Sequence, residues 1–532
     1  SHHRGEFTAP LFDVDDPVGN TLDGVRIERV DGVTGDPAVE GTMVEGNTIG
    51  DNGGYGVAVV GVLARGHVID GNTIGTNAAG TSGVTNTLSG VLVDAGSFNE
   101  VTGNLISSNG LPPSIGHGIE VRGATAMSNT LAGNTIGTNR AGTMALANVG
   151  NGIDVAGASK TAIFGNHVAG NGDPVSGVGG FGVRISGASA TGNALRGNFI
   201  GVDVGASTAI SNTRSGILID GAPGNAVGIA TGNVADVNVI SGNGLPAFPG
   251  DGHGVEIRGA AAAGNVVQGN VIGLNYEGFG SVIDTPLPNQ GSGVYVNGAP
   301  GNTLGGLADL AYNTIGGNGA HGVHIAGAGA TGNAVQGNTI GSDPSGTATG
   351  LGNTGSGILV DGGASGNCIG AAPGFAPCPA PPGESGFNRI VLADAAGITV
   401  TTGTGNAMGG NEIADNAELG IDLGNDGVTA NDGAGDGDGG ANNLQNFPVL
   451  TSAQSLGAPF DPQTMIAGTI PSSGGPFRLD FYRNTACDPS GFGEGAVFIG
   501  AENGLAAGPF MVTLNLQVPV GELITATATD PN

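Results

Sequence analysis

The sequence contains very few basic residues. Its 532 residues include 14 lysines and arginines against 44 aspartates and glutamates, so the formal net charge is −30, and Lys160 is the only lysine. Affinity for nucleic acids and for anionic membrane surfaces comes from clustered Lys and Arg, so neither is an expected partner. A strongly acidic surface instead suits solubility or divalent cations.

Aromatic residues and long apolar runs are also scarce. Aromatics make up 4% of the chain and tryptophan is absent, so the core has to be built from Val, Ile, Leu and Ala. No apolar run reaches the length of about 18 residues that suggests a membrane-spanning helix, and no useful stretch shows helical periodicity. The GxSxG, HExxH and P-loop motifs are absent, which removes three common signatures of catalysis or nucleotide binding.

Glycine is abundant, with 109 residues, and it belongs to short phrases that recur along the chain. The phrase Gly-Asn-x-Ile-Gly occurs at 46–50, 71–75, 133–137, 197–201, 269–273 and 337–341. A second phrase, Gly-(Val/Ile)-x-(Val/Ile)-x-Gly, alternates with it, and a third, Asn-x-(Val/Leu/Ile), lies between the two. Each phrase has the period-two alternation of a short strand. Three strands per coil predict an all-β, right-handed, single-stranded parallel β-helix of about 12–13 coils, with asparagines stacked in a ladder at a corner.

The repeats also divide the chain into segments. We expect the β-helix over 11–424, a Gly/Asp-rich linker over 425–449 and a small antiparallel, Ig-like β-sandwich over 450–532. The first ten residues are interpreted as a tag or cloning remnant. One block of coils is duplicated, because the phrase His-Gly-(Ile/Val)-Glu-(Ile/Val)-Arg at 117–122 returns 136 residues later at 253–258.

The chain has three cysteines. Cys368 and Cys378 flank a Pro-rich loop, and a disulfide between them would fit an oxidising compartment, the alternative being two free thiols. Cys487 is then left over, and we expect its partner to lie outside this chain. No signal peptide is visible, but the disulfide favours an extracellular or cell-surface location.

The GNTIG and GVxVxG phrases resemble those of the right-handed parallel β-helix repeat proteins of bacterial surfaces and secretions, within the pectate-lyase-like superfamily. The stretch NNLQNFPVL, followed by FRLDFYRNTACDPSGFGEG and ITATATDPN, is similar to the C-terminal module of many large bacterial surface proteins. This resemblance covers nearly the whole chain and implies the fold. It leaves the activity open, because the superfamily includes lyases, hydrolases, epimerases, phage depolymerases, adhesins and structural members.

The second phrase defines two rows of outward side chains, with one residue of each row per coil. In the first row Glu256, Tyr295 and His324 follow one another, and Arg258 lies in the second row. A carboxyl, a phenol and an imidazole can serve as general acid or base on a sugar, and Arg258 can neutralise a uronate carboxylate. We therefore predict these four residues as catalytic if the chain is an enzyme.

The same rows and their corners supply further polar residues. The predicted substrate-binding residues are Glu120, Arg122, Asp154, Arg184, His253 and His321, with His117 at an equivalent corner. Glu120 and Asp154 form an alternative glycosidase carboxylate pair. The structural alternative is strong, because the duplicated His-Gly-x-Glu-x-Arg phrase is more typical of architecture than of an active site. Two further histidines, His67 and His167, are interpreted as solvent-facing corner residues.

The linker is rich in Asp and Gly. Oxygen ligands in such a loop suit Ca²⁺, so Asp426, Asp432, Asp436 and Asp438 are predicted metal ligands. The spacing does not fit an EF-hand, and the alternative is an ordinary Asp-Gly linker.

Two functions follow from these patterns. The first is a secreted or surface-anchored stalk with a structural, adhesive or glycan-binding role. The second is a polysaccharide lyase, epimerase or glycoside hydrolase that acts on the outward face of one parallel sheet. The low aromatic content favours the first, because sugar-binding grooves usually offer aromatic platforms. A polysaccharide or cell-surface glycan is the expected partner in both cases.

Overall fold

A computed structural model describes most of the chain. The described residues are 19–28, 41–175, 179–229, 233–248, 250–276, 283–308, 310–346, 348–373, 378–380, 386–457, 462–486, 488 and 490–530. The predicted tag at 1–10 and Cys487 lie outside them. The chain divides into two compact units, Ser1–Tyr295 and Val296–Asn532.

The protein is all-β, as the repeats predict, and its short strands pair in parallel in three sheets of 13, 12 and 12 strands. Sheet 1, formed by the second phrase, contains Val25–Glu28, Val57–Val60, Val91–Asp94, Ile119–Arg122, Ile153–Ala156, Val183–Ser186, Ile217–Asp220, Val255–Arg258, Val294–Asn297, Val323–Ala326, Ile358–Asp361, Ile398–Val400 and Ile421–Leu423. Sheet 2, formed mainly by the third phrase, contains Met43–Glu45, Val68–Asp70, Glu100–Thr102, Thr130–Ala132, Ala162–Phe164, Ala194–Arg196, Ala226–Val227, Val266–Val267, Thr303–Gly305, Ala334–Gln336, Cys368–Ile369 and Ala407–Met408.

Sheet 3 is formed mainly by the Gly-Asn-x-Ile-Gly phrase. It contains Thr48–Ile49, Thr73–Ile74, Leu105–Ile106, Thr135–Ile136, His167–Val168, Phe199–Ile200, Asn238–Ile240, Asn270–Ile272, Thr314–Ile315, Thr339–Ile340, Arg389–Val391 and Glu412–Ala414. The described residues include no α-helix, and the only helical segments among them are the 3₁₀ turns Val234–Asp236 and Ala441–Leu444. No helix in this part of the chain is long and apolar enough to cross a membrane.

Alternation along the strands separates the core from the outer face. In the strand Ile119–Arg122 the first and third side chains, Ile119 and Val121, are fully buried, whereas Glu120 and Arg122 are only partly buried. Neighbouring strands of sheet 1 pair without slippage, so that Glu120 lies beside Asp154. The registers confirm two rows of residues within each unit, but much of the first row is covered, since Ala58, Leu92, Leu218 and Glu256 are buried.

Buried asparagines form hydrogen-bonded ladders at three corners of the coil, not only at the single corner that the sequence suggests. In the first unit the first two ladders are Asn20, Asn52, Asn86, Asn109, Asn148, Asn171, Asn212, Asn243 and Asn289; and Asn47, Asn72, Asn104, Asn134, Asn166, Asn198, Asn238 and Asn270. The third consists of Asn99 and Asn129, then Thr161 in place of an asparagine, then Asn193, Asn225 and Asn265. The backbone N–H of Asn104 and its Nδ2 both donate to Asn134 Oδ1 at 3.0 Å, and most rungs repeat this contact. Each amide thus satisfies the polar groups of a corner that is sealed from water.

The prediction that His67 and His167 face solvent is wrong, since both are buried. His67 takes the place of an asparagine in the third ladder: its Nδ1 accepts the N–H of Thr42 at 3.3 Å, and its own N–H donates to Asn99 Oδ1 at 3.0 Å. His167 Nε2 lies 2.6 Å from the carbonyl oxygen of Val202, and burial lowers the pKa of its ring. A ring nitrogen can replace the amide in these contacts, which the repeat pattern does not reveal.

One ladder of the second unit has a missing rung. Asn318 Nδ2 donates to Asn353 Oδ1 at 2.9 Å, but the next position is Ala393. The Nδ2 of Asn353 is therefore buried with no hydrogen-bond partner among the described residues. The Ala393 N–H still donates to Asn416 Oδ1 at 3.0 Å, so the backbone keeps the ladder geometry.

Replacing Ala393 with asparagine is expected to stabilise the protein by about 1 kcal/mol, because a buried unpaired donor gains its acceptor. Thermal unfolding of the variant measures the gain. Ala393→Leu is the control, since it adds a similar bulk without an amide and should destabilise. Equal melting temperatures for Ala393→Asn and Ala393→Leu would contradict the ladder explanation.

The C-terminal strands of the second unit form two three-stranded antiparallel sheets around one core. The strands are Val449–Leu456, Gln463–Ile470, Phe477–Asn484, Val497–Leu505, Gly508–Leu514 and Leu523–Thr529. Ile466, Phe477 and Phe481 are fully buried between them. Cys368 and Cys378 form a disulfide in the same unit, with their Cα atoms 5.6 Å apart.

The sandwich closes a ladder of the last coils. Glu494 Oε1 accepts the Nδ2 of Asn416 at 2.8 Å and its backbone N–H at 3.2 Å, as the next asparagine would. The backbones of Ile413 and Gly495 exchange two hydrogen bonds of 2.9 Å beside it. A residue that lies 78 positions away in the sequence therefore completes the coil.

Candidate functional site

A row of charged side chains runs along the outer face of sheet 1 in the first unit. We call it the polar strip, and it consists of Asp94, Glu120, Arg122, Asp154, Arg184, Asp220, Glu256 and Arg258. The registers set Asp94 beside Arg122, Asp154 beside Arg184, and Asp220 beside Arg258. The strip thus gathers Glu120, Arg122, Asp154, Arg184, Glu256 and Arg258, six of the predicted site residues, and adds Asp94 and Asp220.

Each of the three arginines in the strip contacts two carboxylates. The closest N–O distances are those of Arg122 to Asp94 (2.8 Å) and Glu120 (2.9 Å), of Arg184 to Asp154 (3.5 Å) and Asp220 (3.2 Å), and of Arg258 to Asp220 (3.1 Å) and Glu256 (3.3 Å). Asp220 contacts two arginines. The hydrogen bond from Arg258, and to a smaller extent that from Arg184, holds the pKa of its carboxyl below the usual range. The guanidinium groups are therefore fixed in place and locally neutralised.

The corner before each strand supports this network with serine and histidine. Ser89 Oγ donates to Glu120 Oε2 at 3.0 Å and accepts the backbone N–H of His117 at 3.1 Å. His117 Nδ1 in turn accepts the N–H of Asn151 from the following coil at 2.9 Å. A ring nitrogen that accepts carries no proton, so the proton of the neutral ring lies on Nε2.

The duplicated block repeats these contacts. Ser215 Oγ donates to Glu256 Oε2 at 3.0 Å and accepts the N–H of His253 at 3.2 Å, and His253 Nδ1 accepts the N–H of Ser292 at 3.0 Å. We call each set a module: the first module is Ser89, Asp94, His117, Glu120 and Arg122, and the second module is Ser215, Asp220, His253, Glu256 and Arg258. Both serines were missed in the sequence, although they alternate with the histidines at equivalent corners.

The two modules differ in burial and in their aromatic neighbours. The Glu256 side chain is 6% exposed against 14% for Glu120. Burial raises the pKa of Glu256, although Arg258 and the hydrogen bond from Ser215 oppose the shift. Tyr295, a predicted catalytic residue, stacks against His253 with ring centroids 4.5 Å apart.

Tyr55 is the aromatic neighbour of the first module. Burial raises the pKa of its phenol, the charge of Glu120 adds to the shift, and Arg122 opposes it. The sequence analysis overlooked Tyr55, because it lies in the corner two coils before Glu120. Each module thus has one tyrosine beside it.

His321 and His324, the remaining predicted binding and catalytic residues, lie in the second unit. His324 Nε2 is 3.1 Å from Asp361 Oδ1, and the rings of His321 and His324 meet edge to face with centroids 5.3 Å apart. Burial, and then the neighbouring His324, lower the pKa of His321 to about 4. His321 Nδ1 accepts the N–H of Ser356 at 3.0 Å, as the other corner histidines do.

The predicted calcium ligands are brought together in part. Carboxylate oxygens of Asp432, Asp436 and Asp438 lie within 4.8 Å of one another, whereas Asp426 is not part of the cluster. Asp432 accepts the N–H of Gly437 at 3.0 Å, and this contact lowers the pKa of its carboxyl. Asp438 Oδ1 is buried and accepts no hydrogen bond from the described residues, which fits a cation ligand.

A cavity of about 750 Å³ lies elsewhere in the second unit. Its lining is about half apolar, including Leu419, Ile421, Phe447 and Ile524, and about half polar. Asp436 reaches it, but none of the predicted catalytic residues does. The predicted catalytic chemistry and this cavity are therefore separate features.

Comparison with known proteins supports the fold. The family described as "Right handed beta helix region" matches residues 12–136. None of the curated proteins compared with the chain matches it significantly. The A-module of mannuronan C-5 epimerase AlgE4 from Azotobacter vinelandii is similar in structure, at 14% identity and a TM-score of 0.30, over 73% of this chain and 82% of that one.

Two further solved structures also match the chain. The enzymatically active domain of tailspike protein 2 from bacteriophage CBA120 has 10% identity and a TM-score of 0.25, over 91% of this chain and 69% of that one. PfbA, a surface adhesin of Streptococcus pneumoniae, has 9% identity and a TM-score of 0.21, over 72% and 79%. By the family match and its own sheets, the chain is a right-handed parallel β-helix protein.

Proposed function

We propose that the protein is an extracellular β-helix stalk whose polar strip binds a neutral polysaccharide. The observation that carries this proposal is that all three arginines of the strip already hold two carboxylates each. A guanidinium that is neutralised in this way has little left to offer a uronate. Its remaining N–H groups and the carboxylate oxygens can still bond to sugar hydroxyls.

The charge of the polar strip and the two neighbouring tyrosines support the same ligand class. The strip holds five carboxyl groups against three arginines, and the whole chain has a formal net charge of −30. An anionic glycan would be repelled by this field, whereas a neutral one would not. Tyr55 and Tyr295 lie beside the two modules and offer apolar ring surface to a sugar.

The disulfide supports the location. The bond between Cys368 and Cys378 is stable in an oxidising compartment and rare in a reducing cytosol. An extracellular or cell-surface protein meets polysaccharides there.

Binding of neutral and uronate-containing oligosaccharides, measured by calorimetry, tests the proposal. We expect Arg258→Leu to weaken binding of the neutral oligosaccharides at least tenfold, because Asp220 and Glu256 lose the group that orients them. Because Glu256 is only 6% exposed and loses its cationic partner, the variant should also be less stable, so binding is measured well below its melting temperature.

The matched control is Arg196→Leu. Arg196 is also paired, 3.8 Å from Asp236, but it lies on sheet 2, away from the polar strip. This variant should bind like the unmodified protein. Preference for uronate glycans, or equal losses in the two variants, would contradict the proposal.

A second candidate function, cleavage or epimerisation of the bound glycan, is favoured by the burial of Glu256. A raised carboxyl pKa suits a general acid. Incubation with the same oligosaccharides, followed by assays for new reducing ends, unsaturated products and altered stereochemistry, tests it. Turnover that is lost in Glu256→Gln would establish an enzyme, and the absence of any product would leave binding alone.

We further propose that Asp432, Asp436 and Asp438 bind Ca²⁺. When bound, the ion would neutralise three carboxylates and cross-link the linker. After EDTA treatment, we expect added Ca²⁺ to raise the melting temperature. At a Ca²⁺ concentration roughly a hundred times Kd, the free energy of unfolding should rise by about 2.7 kcal/mol. Asp438→Asn should reduce this shift and Asp426→Asn should not. An unchanged melting curve with EDTA and Ca²⁺ would remove the site.

A further inference from the structure

The two modules of the polar strip are equivalent in geometry. In each, a serine hydroxyl holds the glutamate, the arginine joins that glutamate to an aspartate of the preceding coil, and a histidine closes the corner. The serine–glutamate distance is 3.0 Å in both modules, and the arginine–aspartate distances are 2.8 and 3.1 Å. The serines are buried, and the groups that each module presents to a ligand are the arginine and its aspartate, Arg122 with Asp94 and Arg258 with Asp220.

The glutamates of the modules are not needed to form the coils. The row position of Glu120 and Glu256 is occupied by Ala58, Leu92 and Leu218 in other coils, which pair with the same register. A leucine there costs less than a carboxylate, which must be desolvated and paired. The retention of two polar modules therefore points to a role outside the scaffold.

The register also sets the distance between the modules. Along the row, Glu120 is followed by Asp154, Arg184, Leu218 and Glu256, so four coils separate the two glutamates. At about 4.8 Å per coil, the separation is about 19 Å. Between them Arg184 connects Asp154 with Asp220 of the second module, and Asp154 lies beside Glu120 of the first module in the strand register.

We infer that the two modules are equivalent subsites, about 19 Å apart, that hold one strand of a repeating neutral polysaccharide at two points. This inference rests on the proposed function. A polymer with a regular repeat presents the same hydroxyl pattern at fixed intervals, which matches a duplicated site. Once one subsite is filled, the second binds in an intramolecular step, so a bridging chain gains affinity without any new contact.

Calorimetric titration with a length series of one neutral oligosaccharide that binds tests the inference. Chains too short to bridge should bind two per protein. Chains long enough to bridge should bind one per protein and about 100-fold more tightly. A single stoichiometry at every length, or a smooth rise of affinity with no step, would overturn the inference and leave the binding face intact.

Variants at equivalent positions sharpen the test. Arg122→Leu and Arg258→Leu should each reduce the short-chain stoichiometry from two to one and abolish the step for long chains. The double variant should bind no short chain and show no step in affinity for long chains. Arg196→Leu should keep the stoichiometry of two for short chains and the step for long chains. If no oligosaccharide of any length binds the unmodified protein, the proposed function itself fails, which is a different outcome from binding without a step.

Discussion

Replacing Arg478 with methionine is expected to lower the free energy of unfolding by about 3–5 kcal/mol, because it leaves a buried carboxylate without its partner. Arg478 and Asp480 are both buried in the strand Phe477–Asn484, with Nη2 and Nε of the arginine 2.6 and 2.9 Å from Asp480 Oδ1. Methionine fills much of the same volume but brings no charge. Urea or thermal unfolding of the sandwich transition measures the loss.

The loss should depend on pH in a defined direction. Burial raises the pKa of Asp480 even though Arg478 opposes the shift. Without the arginine the pKa rises further, so the folded variant binds a proton that the unfolded chain releases. The variant therefore gains stability as the pH falls from its folded pKa toward the ordinary value of about 4.

Two controls separate this effect from a general loss of packing. Arg483→Met breaks the ion pair between Arg483 and Glu522. Because Arg483 is 36% exposed, this variant should lose less than about 1 kcal/mol of unfolding free energy. The double variant Arg478→Met with Asp480→Asn should lose the pH dependence. Equal costs for Arg478→Met and Arg483→Met would show that the buried pair is unimportant.

Replacing Asn134 with alanine is expected to cost about 3 kcal/mol, because several buried polar groups lose their partners at once. Its Oδ1 accepts two bonds from Asn104 at 3.0 Å, and its Nδ2 donates to the Val101 carbonyl at 2.8 Å and to Asn166 Oδ1 at 2.9 Å. Alanine leaves the Asn104 N–H without its acceptor in a dry corner and removes one hydrogen bond to the Val101 carbonyl. Denaturant unfolding of the first unit measures the effect.

The matched control is the exposed end of a ladder. Asn20 donates from its Nδ2 to Asn52 Oδ1 at 3.0 Å, but its own surroundings are open to water. Asn20→Ala should therefore cost less than about 1 kcal/mol. Asn134→Asp should be at least as harmful as Asn134→Ala, since an oxygen would then face two acceptors. A cost for Asn134→Ala as small as that for Asn20→Ala would contradict the structural importance of the ladders.

The repeat made the fold predictable, because each phrase carries its own register. The inward Val and Ile of the second phrase and the single outward residues between them predict sheet 1 and its two rows, which the pairing of Glu120 with Asp154 confirms. The three ladders were predicted only as one, since asparagines at 99 and 129 lie outside the more obvious Gly-Asn-x-Ile-Gly phrase. The burial of His67 was missed because histidine there imitates an asparagine.

The candidate site was predicted less completely. The repeat placed Glu256 and Arg258 in neighbouring rows, but it did not reveal Asp220 and Ser215, which come from the preceding coil. Contacts between coils join residues about 40 positions apart, and the variable loops hide which corner faces which strand. The catalytic role of Tyr295 stays a prediction, and its stacking on His253 gives it a defined neighbour.

Glu494 has a consequence for association between molecules. An asparagine both donates and accepts, so a ladder that ends in asparagine is open to a further coil, including one from another chain. The carboxyl oxygen of Glu494 accepts the last amide of Asn416, and its side chain, unlike that of asparagine, has no amide N–H to pass on. The ladder thus ends in a residue that cannot extend it, and the sandwich that supplies Glu494 makes this β-helix terminus a poor template for fibre growth.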